Sequence, residues 1–265
     1  MEEKKVRINK YLSAAGVCSR READRQIEAG NVRIGENIAC IGDMVEPGAL
    51  VYFQGQPVQP EDERILLVVN KPKGIVCTAE KREKNNIVDF LNYPKRVYPI
   101  GRLDKQSEGL LLMTNEGGFV NKIMRSGNFH EKEYLVTVNK PVTDWFLRAL
   151  AGGVPILGTM TRKCRVERTG KKSFRMVLTQ GLNRQIRRMC EYFDYRVVSL
   201  KRVRIMNIHL GDLPVGTYRM ATAQELERLE QLLEGSSDET VRFEGSAGKY
   251  GGAADVRWQQ WEEEQ

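Results

Sequence analysis

The sequence is poor in the residues that build metal centres, disulfide frameworks and membrane spans. It has two histidines and five cysteines in 265 residues, and the cysteines lie far apart without a Cys-x-x-Cys pair. We therefore expect reduced thiols and no metal site. No apolar run approaches the roughly 20 residues that cross a bilayer, and residues 1–5 lack the apolar stretch of a signal peptide. These absences predict a cytoplasmic protein that does not enter a membrane.

Positive charge is abundant but unevenly distributed along the chain. The net charge is +7, and residues 61–234 carry 31 basic and 20 acidic side chains. Residues 1–60 are balanced at 8 and 8, whereas residues 235–265 hold 3 and 7. A basic body favours a polyanionic partner, because phosphate neutralisation supplies most non-specific affinity for nucleic acids. Charge alone does not separate RNA from DNA or from an acidic membrane surface.

The first 57 residues have the pattern of a small recognition module. Helical spacing of apolar residues predicts a short basic helix over residues 6–15, and Ser19 followed by Glu22 predicts a capping box that opens a second helix. Short β-like runs separated by glycine turns follow at residues 32–34, 38–41 and 50–53. One face of the module is expected to be basic, and its candidate phosphate contacts are Arg7, Lys10, Arg20 and Arg21.

The rest of the chain predicts a larger α+β domain. Residues 58–64 are polar and irregular and predict a linker, residues 65–234 alternate strand-like and helix-like segments, and residues 235–265 predict a disordered tail. The predicted strands are residues 65–69, 75–78, 110–113, 131–138, 154–159, 162–166, 174–179 and 197–208. The predicted helices are residues 87–91, 119–124, 143–150, 184–193 and a last one opened by the capping box Thr222 to Glu225.

Residues 101–115, GRLDKQSEGLLLMTN, contain the most informative acidic residue. Asp104 lies between Arg102 and Lys105, whose positive charges favour its ionised form. Gly101 and Gly109 bracket this loop as backbone hinges, and the apolar run that follows predicts a strand buried on both faces. On this local pattern alone, an ordinary turn in which Asp104 caps backbone amides is equally consistent.

Residues 180–190, QGLNRQIRRMC, predict an amphipathic helix. One face carries Ile186, Met189, Cys190 and Phe193, and the other carries Arg184, Arg187 and Arg188. We expect all three guanidinium groups to point outward, where an anion would relieve their mutual repulsion. Residues 197–208 alternate apolar and basic side chains and predict a strand with a cationic edge.

Taken together, these motifs resemble the pseudouridine synthases, in particular their RsuA branch. The resemblance rests on GRLDKQSEGLLLMTN, on QGLNRQIRRM, on the turn NKPKG at residues 70–74 and on a basic N-terminal segment that is similar to S4 RNA-binding domains. It spans residues 4–234. The fold it implies is an S4-like α/β module followed by a mixed, mainly antiparallel β-sheet catalytic domain with flanking helices.

The resemblance also implies a reaction and a set of site residues. A uridine would be flipped out of folded RNA and isomerised without a cofactor, with Asp104 as nucleophile or general base and Arg187 as its ion-pair partner. Tyr134 would stack on the base and assist proton movement, and Arg102 would occupy the vacated space. Further RNA contacts are expected from Lys71, Arg184 and Arg188. The implied partner of a monomeric enzyme is ribosomal RNA, with a transfer RNA stem-loop as a second candidate.

Two other classes of protein remain open at this point. A non-catalytic RNA-binding assembly factor that keeps the fold would have the same basic surfaces without the chemistry. A hydrolytic nucleosidase would need a second catalytic acid, and no other acidic residue in these motifs is placed for that role.

Overall fold

The computed structural model describes residues 5–60, 63–80 and 82–236. Its N-terminal module contains two helices and six short strands: β1 (Val6–Arg7), α1 (Ile8–Ala14), α2 (Arg20–Glu28), β2 (Val32–Ile34), β3 (Asn37–Ile38), β4 (Met44–Val45), β5 (Val51–Phe53) and β6 (Gln56–Val58). Four of the strands form an antiparallel sheet in the order β3-β2-β5-β6, and β1 pairs with β4. The two helices bury Ile8, Leu12, Ala23 and Ile27 against Val32 and Val51.

The start of α2 differs in one detail from the predicted capping box. The Ser19 hydroxyl accepts a hydrogen bond from the amide of Glu22 at 3.2 Å, as expected of a helix cap. The Glu22 carboxylate does not return to Ser19, because it binds Gln26 and Arg25 on the same helix instead. Only half of the predicted box is formed.

The larger part of the chain is built around one sheet. Its elements are β7 (Leu66–Lys71), α3 (Ile87–Leu91), β8 (Tyr98–Ile100), β9 (Glu108–Thr114), α4 (Gly117–Met124), β10 (Lys132–Val138), α5 (Asp144–Gly152), β11 (Pro155–Ile156), β12 (Thr159–Met160), β13 (Arg165–Gly170), β14 (Ser173–Leu178), α6 (Gln185–Tyr192), β15 (Val197–Ile205), β16 (Ile208–His209), β17 (Tyr218–Met220) and α7 (Ala223–Leu233). The sheet runs β13-β14-β10-β15-β9-β7-β17, with β8 on β9 and β16 on β15. Only the β15–β9 pair is parallel among the described strands, so the predicted mixed, mainly antiparallel sheet is confirmed.

Strand β9, which lies inside the sheet between β15 and β7, is buried on both faces, as its unbroken apolar run predicts. Leu110 and Leu112 face one cluster, which α4 and α7 cover, while Leu111 and Met113 face another, which α3 covers. A third cluster packs α5 and α6 against β10 and β14. The loop before β9 is therefore anchored to a strand that is buried on both faces.

Several strand predictions in this domain are wrong. Residues 75–78 form no strand and make only a single bridge between Val76 and Asn86. The predicted strand over residues 154–159 is divided into β11 and β12 by a turn in which Leu157 has a φ of 52°. The strand predicted at residues 162–166 runs instead from Arg165 to Gly170. A strand-like sequence pattern therefore does not guarantee that the segment pairs with a neighbouring strand.

The predicted cationic edge is also wrong. β15 ends at Ile205 and lies inside the sheet between β10 and β9, and its Arg202 is only 1% exposed.

The predicted N-terminal caps of two helices are confirmed. Thr143 caps α5, and Thr222 with Glu225 forms a complete capping box on α7. None of the described helices has the length and apolar character that a bilayer crossing requires. From residue 237 onward, the predicted tail lies outside the described residues.

Candidate active site

A cavity of about 670 Å³ opens between the loop that precedes β9, the first residues of β10 and the segment that leads into α6. Its lining combines one acidic side chain, several cations, one tyrosine and apolar groups. The lining residues that bear on its chemistry are Arg102, Asp104, Lys105, Lys132, Tyr134, Arg184 and Arg202. Asp104 is the only carboxylate among the described residues that line it.

The loop that carries Asp104 joins β8 to β9 and needs glycine at both ends. Gly101 has a φ of 74°, and a Cβ there would come within 2.2 Å of Met124 Cε. Gly109 has a φ of 100°, and a Cβ there would come within 2.3 Å of the Arg202 carbonyl oxygen. At Gly109 the left-handed backbone combines with a close backbone contact, whereas at Gly101 the neighbouring atom ends a flexible side chain and the left-handed φ alone favours glycine.

Backbone contacts hold the loop in one conformation. The Ser107 amide donates to the Asp104 carbonyl at 2.9 Å, which closes a turn around the acidic residue. The Gly74 amide donates to the Lys105 carbonyl at 2.7 Å. On the other side, the Leu103 amide lies 3.3 Å from Cys77 Sγ. The side chain of Asp104, 33% exposed, is thus presented to the cavity from an immobilised backbone.

Arg187 lies beneath this loop, and the prediction that its guanidinium group points into solvent is wrong. It is buried, because the loop packs over the helix face that would otherwise be exposed. Its Nη2 donates to the Gln106 carbonyl at 3.1 Å and to Ser107 Oγ at 3.2 Å. Its Nε lies 3.8 Å from Asp104 Oδ2, at ion-pair distance, and makes no hydrogen bond. Burial lowers the pKa of Arg187, as does the charge of Arg184, while Asp104 opposes the shift.

Lys71 also lies inside the protein, so its predicted contact with RNA is wrong. It ends the fully buried strand β7 and is 0% exposed. Its Nζ donates to the carbonyl oxygens of Pro72 at 2.7 Å and Ser107 at 2.8 Å. Burial lowers its pKa, and nearby groups that include Cys77 and Asp104 partly oppose that shift. Lys71 is therefore a second cation that supports the Asp104 loop from below.

Tyr134 lies on β10 and lines the cavity, as expected for a residue that meets the base. It is half-buried and packs against two of the hydrophobic clusters. Across the sheet it is in register with Arg202 on β15 and with Met176 on β14. Its ring is thus held by strands on both sides.

Two buried cations of the cavity, Lys132 and Arg202, were not predicted as site residues. Lys132 is 3% exposed, and its Nζ donates to the His130 carbonyl at 3.3 Å. Burial, with a smaller contribution from the charge of Arg202, lowers the pKa of Lys132 to about 8. Arg202 Nε donates to the Leu110 carbonyl at 2.8 Å, while its Nη2 is buried and has no hydrogen-bond partner in the described chain.

Neither of these cations forms an ion pair with an acidic side chain of the described residues. Buried positive charge without a protein counter-ion is costly and indicates a site for a negatively charged ligand. A signal for Lys132 was present in the sequence, because it stands two positions before Tyr134 and shares its face of a strand. For Arg202 the alternation of β15 was visible, but its central position in the sheet was not.

The other predicted cations are at the surface. Arg102 and Arg184 are exposed at the cavity mouth, and Arg184 precedes α6 with a left-handed φ of 52°. Arg188 is partly exposed and donates to the Asn183 carbonyl and side-chain oxygens at 3.1 and 3.3 Å. In the N-terminal module the four predicted contacts, Arg7, Lys10, Arg20 and Arg21, are all exposed.

Comparisons with known proteins agree with this arrangement. Residues 65–192 match the RNA pseudouridylate synthase family, and residues 6–51 match the S4 domain. A crystal structure of a pseudouridylate synthase superposes with a TM-score of 0.62 at 28% identity, covering 84% of this chain and 99% of that one. The chain therefore belongs to the RNA pseudouridine synthases and catalyses an isomerisation within RNA.

Within that family, the chain is similar to the proteins named RluF and belongs to the RsuA branch. It is 55% identical to the dual-specificity RNA pseudouridine synthase RluF of Escherichia coli K12 over 241 residues, which is 90% of this chain and 83% of the relative. It is 33% identical to the ribosomal large subunit pseudouridine synthase B of Bacillus subtilis, covering 86% of this chain and 97% of the relative. The predicted family and fold are confirmed.

Proposed function

We propose that the enzyme modifies a uridine of large-subunit ribosomal RNA and accepts a transfer RNA stem-loop as a second substrate. The name of the Bacillus subtilis relative supports the first substrate, and the dual specificity in the name of the Escherichia coli relative supports the second. Single-stranded loops are the parts of folded RNA that proteins read most readily, because their bases can be unstacked. A stem-loop of the same shape in both RNAs would place either target uridine in the same cavity.

The observation that carries the catalytic proposal is the isolation of Asp104 in the cavity. As its only described carboxylate, beside the buried guanidinium group of Arg187, it acts on the flipped nucleotide, while Arg187 holds the direction of the carboxylate. A hydrolytic pair of carboxylates has no second member among the described lining residues. Asp104 therefore serves an isomerisation that needs one acidic group.

The remaining lining residues fit the base. The C1′–N1 bond breaks, the uracil turns, the C1′–C5 bond forms, and the C5 proton is replaced by one on N1. Tyr134 supports the ring of the uracil and assists the proton movement. Lys132 and Arg202 offset the negative charge that develops on the detached base. Arg102, at the cavity mouth, takes the place that the flipped base leaves in the RNA.

We propose that residues 1–58 form the RNA-recruiting module and residues 65–234 the catalytic domain; the linker predicted at residues 58–64 begins one residue later, because Val58 belongs to β6. The exposed cations on α1 and α2 give the module a basic face for the phosphate backbone. Arg184 and Arg188 extend this contact along the cavity mouth. The monomeric state and the cytoplasmic location stay predictions from the sequence.

Pseudouridine mapping tests the substrate proposal. Carbodiimide labelling and primer extension would be applied to ribosomal and transfer RNA from a strain lacking the gene. Complementation with the wild-type gene should restore a modified position in the large-subunit RNA and one in a transfer RNA, while Asp104→Asn should restore neither. A non-catalytic assembly factor predicts the same map in all three strains.

A further inference from the structure

An exposed aromatic side chain, Phe129, lies in the loop between α4 and β10. It is 60% exposed, and its backbone has a φ of 56°, a left-handed conformation that bulky residues rarely adopt. The guanidinium carbon of Arg162 lies 4.1 Å from the centre of its ring. The chain thus holds an apolar ring in water at a strained position, a combination that marks functional sites.

The Phe129–Arg162 pair adjoins the catalytic cavity on two sides. The Arg162 amide donates to Gln180 Oε1 at 3.0 Å, and Gln180 lines the cavity. Phe129 directly precedes His130, whose carbonyl accepts from Lys132 Nζ at 3.3 Å, and Lys132 also lines the cavity. The pair is therefore connected through one contact on each side to residues that line the cavity.

We propose that Phe129, backed by Arg162, is a stacking platform for a second, unpaired base of the substrate RNA. A ring with one face held by a guanidinium group offers its remaining surface to a flat aromatic ligand, and the positive charge suits the phosphates attached to that ligand. When the target uridine is flipped, its neighbours lose their stacking partner. The inference rests on the RNA-modifying activity of the family, and it does not depend on which RNA is the substrate.

Stacking on one aromatic side chain is expected to contribute about 5- to 100-fold to RNA affinity. Phe129→Gly is the decisive variant, because glycine adopts the left-handed backbone without strain. We expect it to be at least as stable as the wild type while the Kd for a stem-loop RNA rises about 5- to 100-fold. Phe129→Trp should retain the affinity, since it retains the platform.

The platform can be observed with 2-aminopurine placed in turn at each position that flanks the target uridine. One position should be quenched on binding to the wild type and to Phe129→Trp, but not to Phe129→Gly. Phe90→Ala is a matched control, because Phe90 is also an exposed phenylalanine, at 40%, but lies on α3 with its ring next to Gly216. An unchanged Kd and unchanged quenching in Phe129→Gly would overturn the proposal. The exposed ring would then be a candidate contact for a protein partner instead of RNA.

Discussion

The Nε atom of Arg187 lies 3.8 Å from Oδ2 of Asp104, and the same guanidinium group donates to the Gln106 carbonyl and the Ser107 hydroxyl. One buried cation therefore fixes the backbone of the Asp104 loop and faces its carboxylate. The loop also rests on Lys71, whose ammonium donates to the Ser107 carbonyl. The conformation of the Asp104 loop therefore rests on two buried cations.

Removing the charge of Arg187 should disturb the orientation of the Asp104 carboxylate more than it disturbs RNA binding. Arg187→Met leaves the loop without three of its contacts, and a displacement of about 1 Å can cost about 100-fold in rate. We expect the single-turnover rate constant to fall by about that factor, with the Kd for RNA nearly unchanged. Ser107→Ala, which removes one of the contacts, should give a smaller loss. A Kd that rises in proportion to the lost rate would instead make Arg187 an RNA-binding residue.

The contributions of the ring and of the hydroxyl group of Tyr134 can be measured separately by substitution. Tyr134→Phe retains the ring and removes the hydroxyl that is proposed to assist proton movement, so kcat should fall by about 100-fold or more. The Kd for RNA should stay close to that of the wild type. A variant with nearly full turnover would restrict Tyr134 to supporting the base.

Lys132 should make the stability depend on pH. Its pKa is lowered from 10.5 to about 8 in the folded protein, so between these values the unfolded chain binds more protons. The free energy of unfolding therefore rises as pH rises through this window, and below it the buried charge costs up to about 3 kcal/mol.

Lys132→Met removes this cost and should raise the Tm at pH 7. The difference from the wild type should shrink as the pH approaches 10, where the wild-type lysine is neutral in the folded protein. Lys163→Met, at an exposed lysine, serves as the control and should change the Tm little at either pH. A Lys132→Met effect that is constant from pH 7 to pH 10 would contradict a lowered pKa.

The hinge at Gly109 should not tolerate a side chain. Gly109→Ala forces a Cβ to within 2.3 Å of the Arg202 carbonyl in a left-handed backbone, and we expect a loss of about 2 kcal/mol or more in the free energy of unfolding. Gly118→Ala lies in α4, where the nearest atom to a new Cβ is Glu116 Oε1 at 3.5 Å. It should be neutral or stabilising by about 0.5 kcal/mol. Denaturant unfolding of both variants provides the comparison.

Local pattern was sufficient for much of the fold, whereas the choice of Asp104 over an ordinary turn residue depended on the resemblance to a family. The apolar run of β9, the glycines at its loop and the caps of α5 and α7 depend on residues close in sequence, and each prediction is confirmed. The predicted exposure of the cationic side chains of Lys71, Arg187 and Arg202 was wrong for one shared reason. Helical periodicity and strand alternation describe an element by itself, whereas burial of these cations comes from a distant loop or from neighbouring strands.

The role of Asp104 is tested most directly by release of tritium from RNA that carries [5-³H]uridine at the target position. The reaction exchanges the C5 hydrogen, so wild-type enzyme should release it in a single turnover. Asp104→Asn keeps the size of the side chain and should lower the release rate by about 10²- to 10⁴-fold, with RNA binding within a few-fold of the wild type. Tritium release by purified Asp104→Asn at a rate close to that of the wild type would contradict the assignment of this carboxylate as the catalytic group.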